Sequence, residues 1–448
     1  MTFKHNLRAA GTALLPAMLF ITQPQAGQQQ APAPVIHLQV RQVLVPVIVT
    51  DRHGHYVTDL GRTDFTVLED GIPQTVVDFR TSQEDAAGLF AAEAGVARRQ
   101  PKQSAAQAQP PVQLLHLYAI ALDTLNSSFQ DFVDVRTALR KLFRQEGGTG
   151  TEYLLVALGR QTTVLQGATG DAGALLEALG SKQLQQTIQQ RETSNLAMQQ
   201  LHLSNLLGDY CRRCPCTGGT PEPMCQGRLG QIEMWASSAA EERTMLERQL
   251  LAQLGALTAR LATFPGKRTL VFISDGFNMR PGRELFGMMA AELENPAELQ
   301  NNPGDPLNAW VESLLQRANA NDVSIYTLDS RGLFTSPAAP YGASNDARVT
   351  RQTMATLPMQ TQEVELESQQ NADVLAQLAG ESGGLFYRNS NDLLKGLKQA
   401  LADGRQYYVL AYVPSNRKAD GNFRTISVQV DRRNLRVRTK KGYWALAQ

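Results

Sequence analysis

Residues Thr269–Gly276 read T-L-V-F-I-S-D-G. An uncharged run of apolar and β-prone residues stops abruptly at Ser274-Asp275-Gly276. Unbroken apolarity of that length is the pattern of a strand buried on both faces. The polar tip then falls at the strand's carboxyl end, where open α/β sheets carry their ligand sites. A helical stretch ending T-F-P-G at Gly266 leads into the strand. A second run of the same kind, L-L-H-L-Y-A-I-A-L-D over Leu114–Asp123, also ends on an aspartate. We therefore expect Asp123 and Asp275 to meet at one edge of a sheet.

Working outward, strands and helices alternate from Leu114 to about Ala402. Phe132, Val135, Leu139, Leu142 and Phe143 have helical spacing, and Tyr153–Leu158 is a strand with Thr162–Leu165 beside it. Ala172–Leu184 is a helix, and a long helix follows in which Leu246, Leu250, Leu254, Leu257 and Leu261 share one core-facing stripe. Leu307–Ala320 is a helix, Val323–Leu328 a strand ending at Asp329, and Asn371–Ser382 a helix stopped by Gly383-Gly384. Leu385–Arg388 and Asn391–Leu401 add a short strand and a helix. Ser330–Gln369 lacks periodicity and reads as a long polar loop. The repeated βα pattern predicts an α/β fold with a doubly wound, mainly parallel sheet and helices on both faces.

At both ends of the chain the period changes to two. V-R-Q-V-L-V-P-V-I-V-T-D from Val40 is a strand, and Tyr56–Asp59 and Phe65–Glu69 read as further short strands. Asp70-Gly71 is a hairpin signal leading into Pro73–Phe79. After Arg405, Y-Y-V-L-A-Y-V-P, F-R-T-I-S-V-Q-V and L-R-V-R-T-K-K-G-Y read as three strands. Neither end can bury a core alone. Together they predict one β-sandwich with the α/β domain inserted between its halves. The expected organisation is a signal segment 1–26, sandwich strands 27–82, an Ala/Gln/Pro-rich linker 83–112, the α/β domain 113–403 with an insertion 190–232, and closing strands 404–448.

Lys4 and Arg8 precede a mostly apolar run, Ala9–Ile21, and then P-Q-A ending at Ala26. This is a secretory pattern, too short and too interrupted by Pro16 for a membrane span. We expect an exported chain, periplasmic or secreted, with no membrane span once the signal is removed. Cleavage would remove two positive charges, taking the formal +1 to −1, a balance that points to neither nucleic acid nor an anionic membrane. All four cysteines, Cys211, Cys214, Cys216 and Cys225, lie in the insertion. In an exported chain they favour two local disulfides, with a redox or metal-handling knuckle as the alternative. Four cysteines allow three pairings and the spacing does not choose. The six histidines lack zinc-site spacing, and nucleophile-elbow, P-loop and dinucleotide motifs are absent from the chain, so no enzyme is expected.

The two strand tips carry a resemblance. Together with V-T-D-R-H-G-H-Y-V-T-D-L, D-F-T-V-L-E-D-G, F-P-G-K-R-T-L-V-F-I-S-D-G-F, V-S-I-Y-T-L-D-S-R-G-L, L-A-G-E-S-G-G and V-R-T-K-K-G-Y, the chain resembles a von Willebrand factor A-type domain protein. Within that class it is similar to the VWFA-related group seen mostly in Acidobacteria. The resemblance implies cell adhesion or other protein binding through a metal-ion-dependent adhesion site built from D-x-S-x-S, a loop Thr and a later Asp. Asp123, Ser127, Thr193 and Asp275 occupy the matching positions, and Leu125 replaces the middle Ser. The implied cofactor is Mg2+, with Mn2+ or Ca2+ as substitutes, held by oxygen ligands with one position left for an acidic side chain of a partner protein. The degenerate motif leaves a second reading open, a cell-envelope scaffold that binds without metal.

Overall fold

The computed structural model describes residues 42–84, 116–127, 129–147, 150–189, 196–216, 222–264, 267–301, 306–332 and 369–445. The expected signal segment, most of the linker and nearly all of the loop after Ser330 lie outside them.

Strand β1 (Val43–Thr50) alternates, and Val43, Val45, Val47 and Val49 enter one core. β2 (Phe65–Glu69) and β3 (Ile72–Gln74) form the hairpin announced by Asp70-Gly71, both of which take positive φ, 50° and 80°. That geometry suits a tight turn whose twist matches the strands. β4 (Val76–Thr81) then leaves for the other sheet. Tyr56–Asp59 is not a strand: Tyr56 makes one isolated bridge to Thr50. The Asp51 carboxylate accepts from the backbone N–H groups of His53 and His55 and closes a turn there, and the Tyr56 hydroxyl is drawn to Asp403.

The α/β part begins with β5 (His116–Asp123) and runs through α1 (Phe129–Glu146), β6 (Thr151–Leu158), β7 (Thr162–Thr169), α2 (Ala172–Ala178), α3 (Lys182–Gln189), α4 (Leu196–Arg213) and α5 (Pro223–Leu261). It continues with β8 (Arg268–Ser274), α6 (Arg283–Glu292), α7 (Asn308–Ala320), β9 (Val323–Asp329), α8 (369–382), β10 (Phe386–Tyr387) and α9 (Leu393–Arg405). The sheet order is β10-β9-β8-β5-β6-β7, parallel except for β7. Its apolar strands are buried on both faces. On β5, Leu117, Ala119 and Ala121 face the core shared with α5, α7 and α8. Tyr118, Ile120 and Leu122 face the core shared with α1, α2 and α9. The leucine stripe of α5 packs where the spacing predicts.

The expected helix Ala172–Leu184 is broken at 179–181 into α2 and α3, and two further features of this part differ from expectation. Helix α5 is 39 residues long and begins inside the expected insertion, which is thus an antiparallel hairpin with α4 rather than a separate piece. Helix α6 and a 3-10 turn, Pro296–Gln300, occupy a stretch that periodicity leaves unassigned. The helix is held from outside, because Leu285, Phe286 and Met289 complete a small core with Leu203, Leu207 and Ile232 of the hairpin.

β11 (Tyr408–Tyr412), β12 (Phe423–Val430), β13 (Arg436–Thr439) and β14 (Gly442–Trp444) close the chain, one strand more than the sequence suggests. The sandwich sheets have orders β13-β1-β11-β4 and β14-β12-β2-β3, so each contains strands from both ends of the chain. Its core pairs Val45, Val47, Phe65 and Val67 with Leu410, Tyr412 and Ile426.

The sandwich is latched to α9 through Asp403. This fully buried carboxylate accepts from Arg438 Nη2 at 2.6 Å and from the Tyr56 hydroxyl at 2.6 Å. Removing one member of such a pair leaves an uncompensated buried charge. Asp403→Ala is expected to cost about 3 kcal/mol, measured as a lower urea midpoint at an unchanged slope, with Asp403→Asn losing less.

Candidate functional site

Strand order reverses between β5 and β8, because the chain winds outward through β6 and β7 and then returns to the other side of β5. A reversal of this kind opens a crevice at the carboxyl ends of the two strands. The register pairs Leu122 with Ile273, so Asp123 and Ser274 lie side by side at that crevice.

Asp123 is buried. Its Oδ1 accepts from the backbone N–H groups of Leu125 at 2.8 Å and Asn126 at 3.0 Å. Its Oδ2 accepts from Ser274 Oγ at 2.6 Å and Asn126 Nδ2 at 3.0 Å. Four donors match the capacity of a carboxylate. Burial raises the Asp123 pKa, and the bonds from Ser274, Asn126 and Leu125 oppose it. Asp123 therefore shapes the loop. Leu125, in place of a hydroxyl residue, turns into the core beside Phe277 and brings no ligand.

Asp275 lies one residue beyond β8. It accepts a short hydrogen bond from Ser330 Oγ, which itself sits 3.3 Å from Ser127 Oγ. Burial drives the Asp275 pKa well up, and the neighbouring Asp131 carboxylate, hydrogen-bonded to it, drives it further. Gly276 has φ 79°, and a Cβ there would strike the Asn371 carbonyl at the start of α8, so the turn demands glycine. The structure thus brings Asp123, Ser127 and Asp275 to one edge, and Thr193 lies outside the described residues. Among the described residues no three His, Cys, Asp or Glu side chains gather as a metal cluster. The donors at Asp275 are two carboxylates and two hydroxyls, hard oxygen groups of the kind a small divalent cation accepts. Asp131 and Ser330 are the neighbours of Asp275, whereas Asp123 is turned to its own loop.

Sequence reasoning missed a second polar group. On α5, Arg243 Nη2 donates to Glu247 Oε1 at 3.0 Å and to Asn126 Oδ1 at 3.1 Å, and Asn126 Nδ2 reaches Glu247 Oε2 at 3.2 Å. Both charged side chains are buried among the helix's core positions. A charged pair four residues apart on an apolar stripe was the available signal. Burial pushes Glu247 up to about 7, Arg243 opposes this, and Asp123 adds to it. Beside this group a partly open cavity of about 190 Å3 runs between Asp275, Phe277, Glu284 and Asn371.

At the far end of the hairpin, Cys211 lies at disulfide distance from Cys216 and Cys214 from Cys225, with Cα separations of 5.0 and 5.8 Å. Among the described residues, no helix is long and apolar enough to cross a membrane.

No family model matches the chain, and no curated protein matches it. Solved structures do resemble it. An aerotolerance-related membrane protein from Bacteroides fragilis is 15% identical, covers 64% of this chain and 98% of its own, and has a TM-score of 0.29. The conserved hypothetical protein BatB from Bacteroides thetaiotaomicron is 14% identical, with 64% and 97% covered and a TM-score of 0.29. The pilus adhesin SpaC from Lactobacillus rhamnosus GG is 8% identical, with 74% and 43% covered and a TM-score of 0.32. Similarity at these scores carries no argument about function, which rests on the geometry of the edge.

Glu247 makes that geometry pH-dependent. Between its ordinary value of 4.5 and about 7 the folded chain keeps a proton that the unfolded chain has lost. Stability therefore falls as pH rises through that window, by up to about 3 kcal/mol. Glu247→Gln is expected to flatten this part of the curve when denaturation is followed from pH 4.5 to 8. An identical slope in the variant would show that Glu247 titrates normally.

Proposed function

We propose that this is an exported, non-enzymatic protein-binding protein of the adhesion type, which engages its partner at the carboxyl edge of the six-stranded sheet. The observation that carries this is the concentration of buried and half-buried oxygen groups, Asp123, Ser127, Asp131, Asp275 and Ser330, at the point where strand order reverses. The hydroxyls there donate to carboxylates or to one another, an arrangement that binds rather than one that activates a nucleophile. Two paired cysteine couples suit an oxidising compartment, the periplasm or the outside of the cell.

In this reading Asp275 and Ser127 hold a divalent cation, with Asp131 and Ser330 beside them. Mg2+ is the first choice and Mn2+ or Ca2+ the substitutes. When bound, the ion supplies an attachment point for an acidic side chain of the partner. The chain's own part is to fix the loop through Asp123 and to keep the hydroxyls aimed at the edge. Thr193 is kept as a further ligand of the proposal.

Calorimetric titration of Mg2+ and Mn2+ into the mature chain tests the proposal. We expect saturable one-site binding, lost in Asp275→Ala and weakened at least tenfold in Asp131→Asn. Asp131→Asn is the informative variant, because it removes one of the two neighbouring carboxylates and keeps the side-chain shape. Absence of heat with the folded wild-type chain would remove the cation from the reading and leave a metal-independent scaffold.

A further inference from the structure

The turn that follows β1 brings two imidazoles together. Asp51 Oδ1 accepts from the backbone N–H groups of His53 at 2.8 Å and His55 at 2.9 Å, and the Asp51 N–H donates to the His55 carbonyl at 2.8 Å. Gly54 sits between the histidines with φ 88°, a conformation that glycine adopts without steric cost. The backbone of the pair is therefore fixed, while both histidines are exposed. Their ring centroids lie 6.2 Å apart with the planes tilted by 38°. His55 Nδ1 is 3.1 Å from Asp51 Oδ2. An ionised carboxylate only accepts, so Nδ1 carries the proton and Nε2 keeps its lone pair. An imidazole backed by a carboxylate is the arrangement that metal-binding histidines use. The adjoining Arg52 guanidinium is engaged by Asn434 Oδ1.

We propose that the turn His53-Gly54-His55 binds a late first-row divalent cation, with Zn2+ as the representative, through one nitrogen of each imidazole. Zn2+ bonds imidazole nitrogen at about 2.0–2.1 Å, which places the ion roughly 3 Å from each ring centroid. Tetrahedral bonding then sets the centroids roughly 5 Å apart, so the rings need to close by about 1 Å. Exposed side chains rotate freely enough to do so. Two residues apart, the histidines lack the spacing of a helical zinc pair, and here the turn does what a helix would do. Asp51 is engaged by the backbone and by Nδ1, so it orients His55 and is not counted as a ligand. That agrees with the absence of a three-residue metal cluster among the described residues. The remaining positions on the ion are open to water. Imidazole suits Zn2+, Ni2+ and Cu2+, whereas Mg2+ keeps to oxygen ligands. The turn and the sheet edge therefore take different ions, and this inference does not depend on the reading of the edge. The four cysteines are paired and offer no competing thiolate.

The test titrates the tag-free mature chain with Zn2+ in excess Mg2+, by calorimetry and by the imidazole chemical shifts. We expect saturable one-site binding in which the shifts of His53 and His55 move together. His53→Ala and His55→Ala should each weaken it at least tenfold. Both positions are exposed, so these variants keep the fold, which the urea midpoint checks. Asp51→Asn keeps an acceptor for the backbone and loses the charge behind His55, and should weaken binding about tenfold. Asp275→Ala and His202→Ala should leave it unchanged. The inference is overturned by a silent Zn2+ titration, by wild-type affinity in either folded histidine variant, or by loss of the site in Asp275→Ala or His202→Ala. Zn2+ binding at the turn without Mg2+ heat supports this inference and removes only the cation of the sheet edge. Mg2+ heat without Zn2+ binding overturns the turn site alone.

Discussion

The hydrogen bond from Ser274 to Asp123, 2.6 Å long, joins two strands that no local connection holds together. β5 and β8 are neighbours in space, yet the chain between them passes through two other strands and five helices. Parallel strands always depend on such crossovers, so their alignment is set by packing and by contacts at the tips. One carboxylate does much of this work here. By taking two backbone N–H groups of its own loop it fixes where Leu125, Asn126 and Ser127 point. Leu125 enters the core, Asn126 reaches the α5 pair, and Ser127 meets Ser330. The composition of the edge follows from that single anchor.

The sandwich obeys a different constraint. Each of its sheets mixes strands from the two ends of the chain, and β1 pairs with both β11 and β13. Contacts so distant in sequence close a long loop, and its closure entropy must be offset before they contribute. The α/β part is that loop. In the folded chain its core, packed on both sides of the sheet, holds the two ends where β1 pairs with β11. The latch at Asp403 then makes the orientation of the two parts a property of the folded core rather than of a linker.

Local patterns in the sequence carried the parts of this fold that depend on local causes. T-L-V-F-I-S-D-G announces a two-sided strand, Asp70-Gly71 a hairpin, and five leucines of α5 a core stripe. What stayed hidden depends on partners far away. Helix α6 contains Gly287 and is only 10 residues long, so it exists by docking on the hairpin core. The switch of β13 to the opposite sheet from β12 leaves no mark in an alternating sequence. At the candidate site, D-T-L-N-S shows which ligand type is lost, but not that Asn126 bridges to a buried Arg243–Glu247 pair. That pair looks like two solvated helix charges until its partner is known.

The acids at this edge divide by what the fold asks of them. Asp123 accepts from four donors of its own chain, a task that a carboxylate performs better than an amide, so folding alone accounts for it. Asp329 and Glu247 each hold an arginine. Asp275 is different. It sits against Asp131, a second carboxylate, under burial that penalises charge, and Glu284 stands nearby with an unpaired oxygen. Two like charges in contact destabilise a folded chain unless a proton or a cation joins them. Arg331 acts on both carboxylates and opposes part of the repulsion. The proposed cation reading rests on this pair, since joining two adjacent carboxylates is a task that a proton or a cation performs.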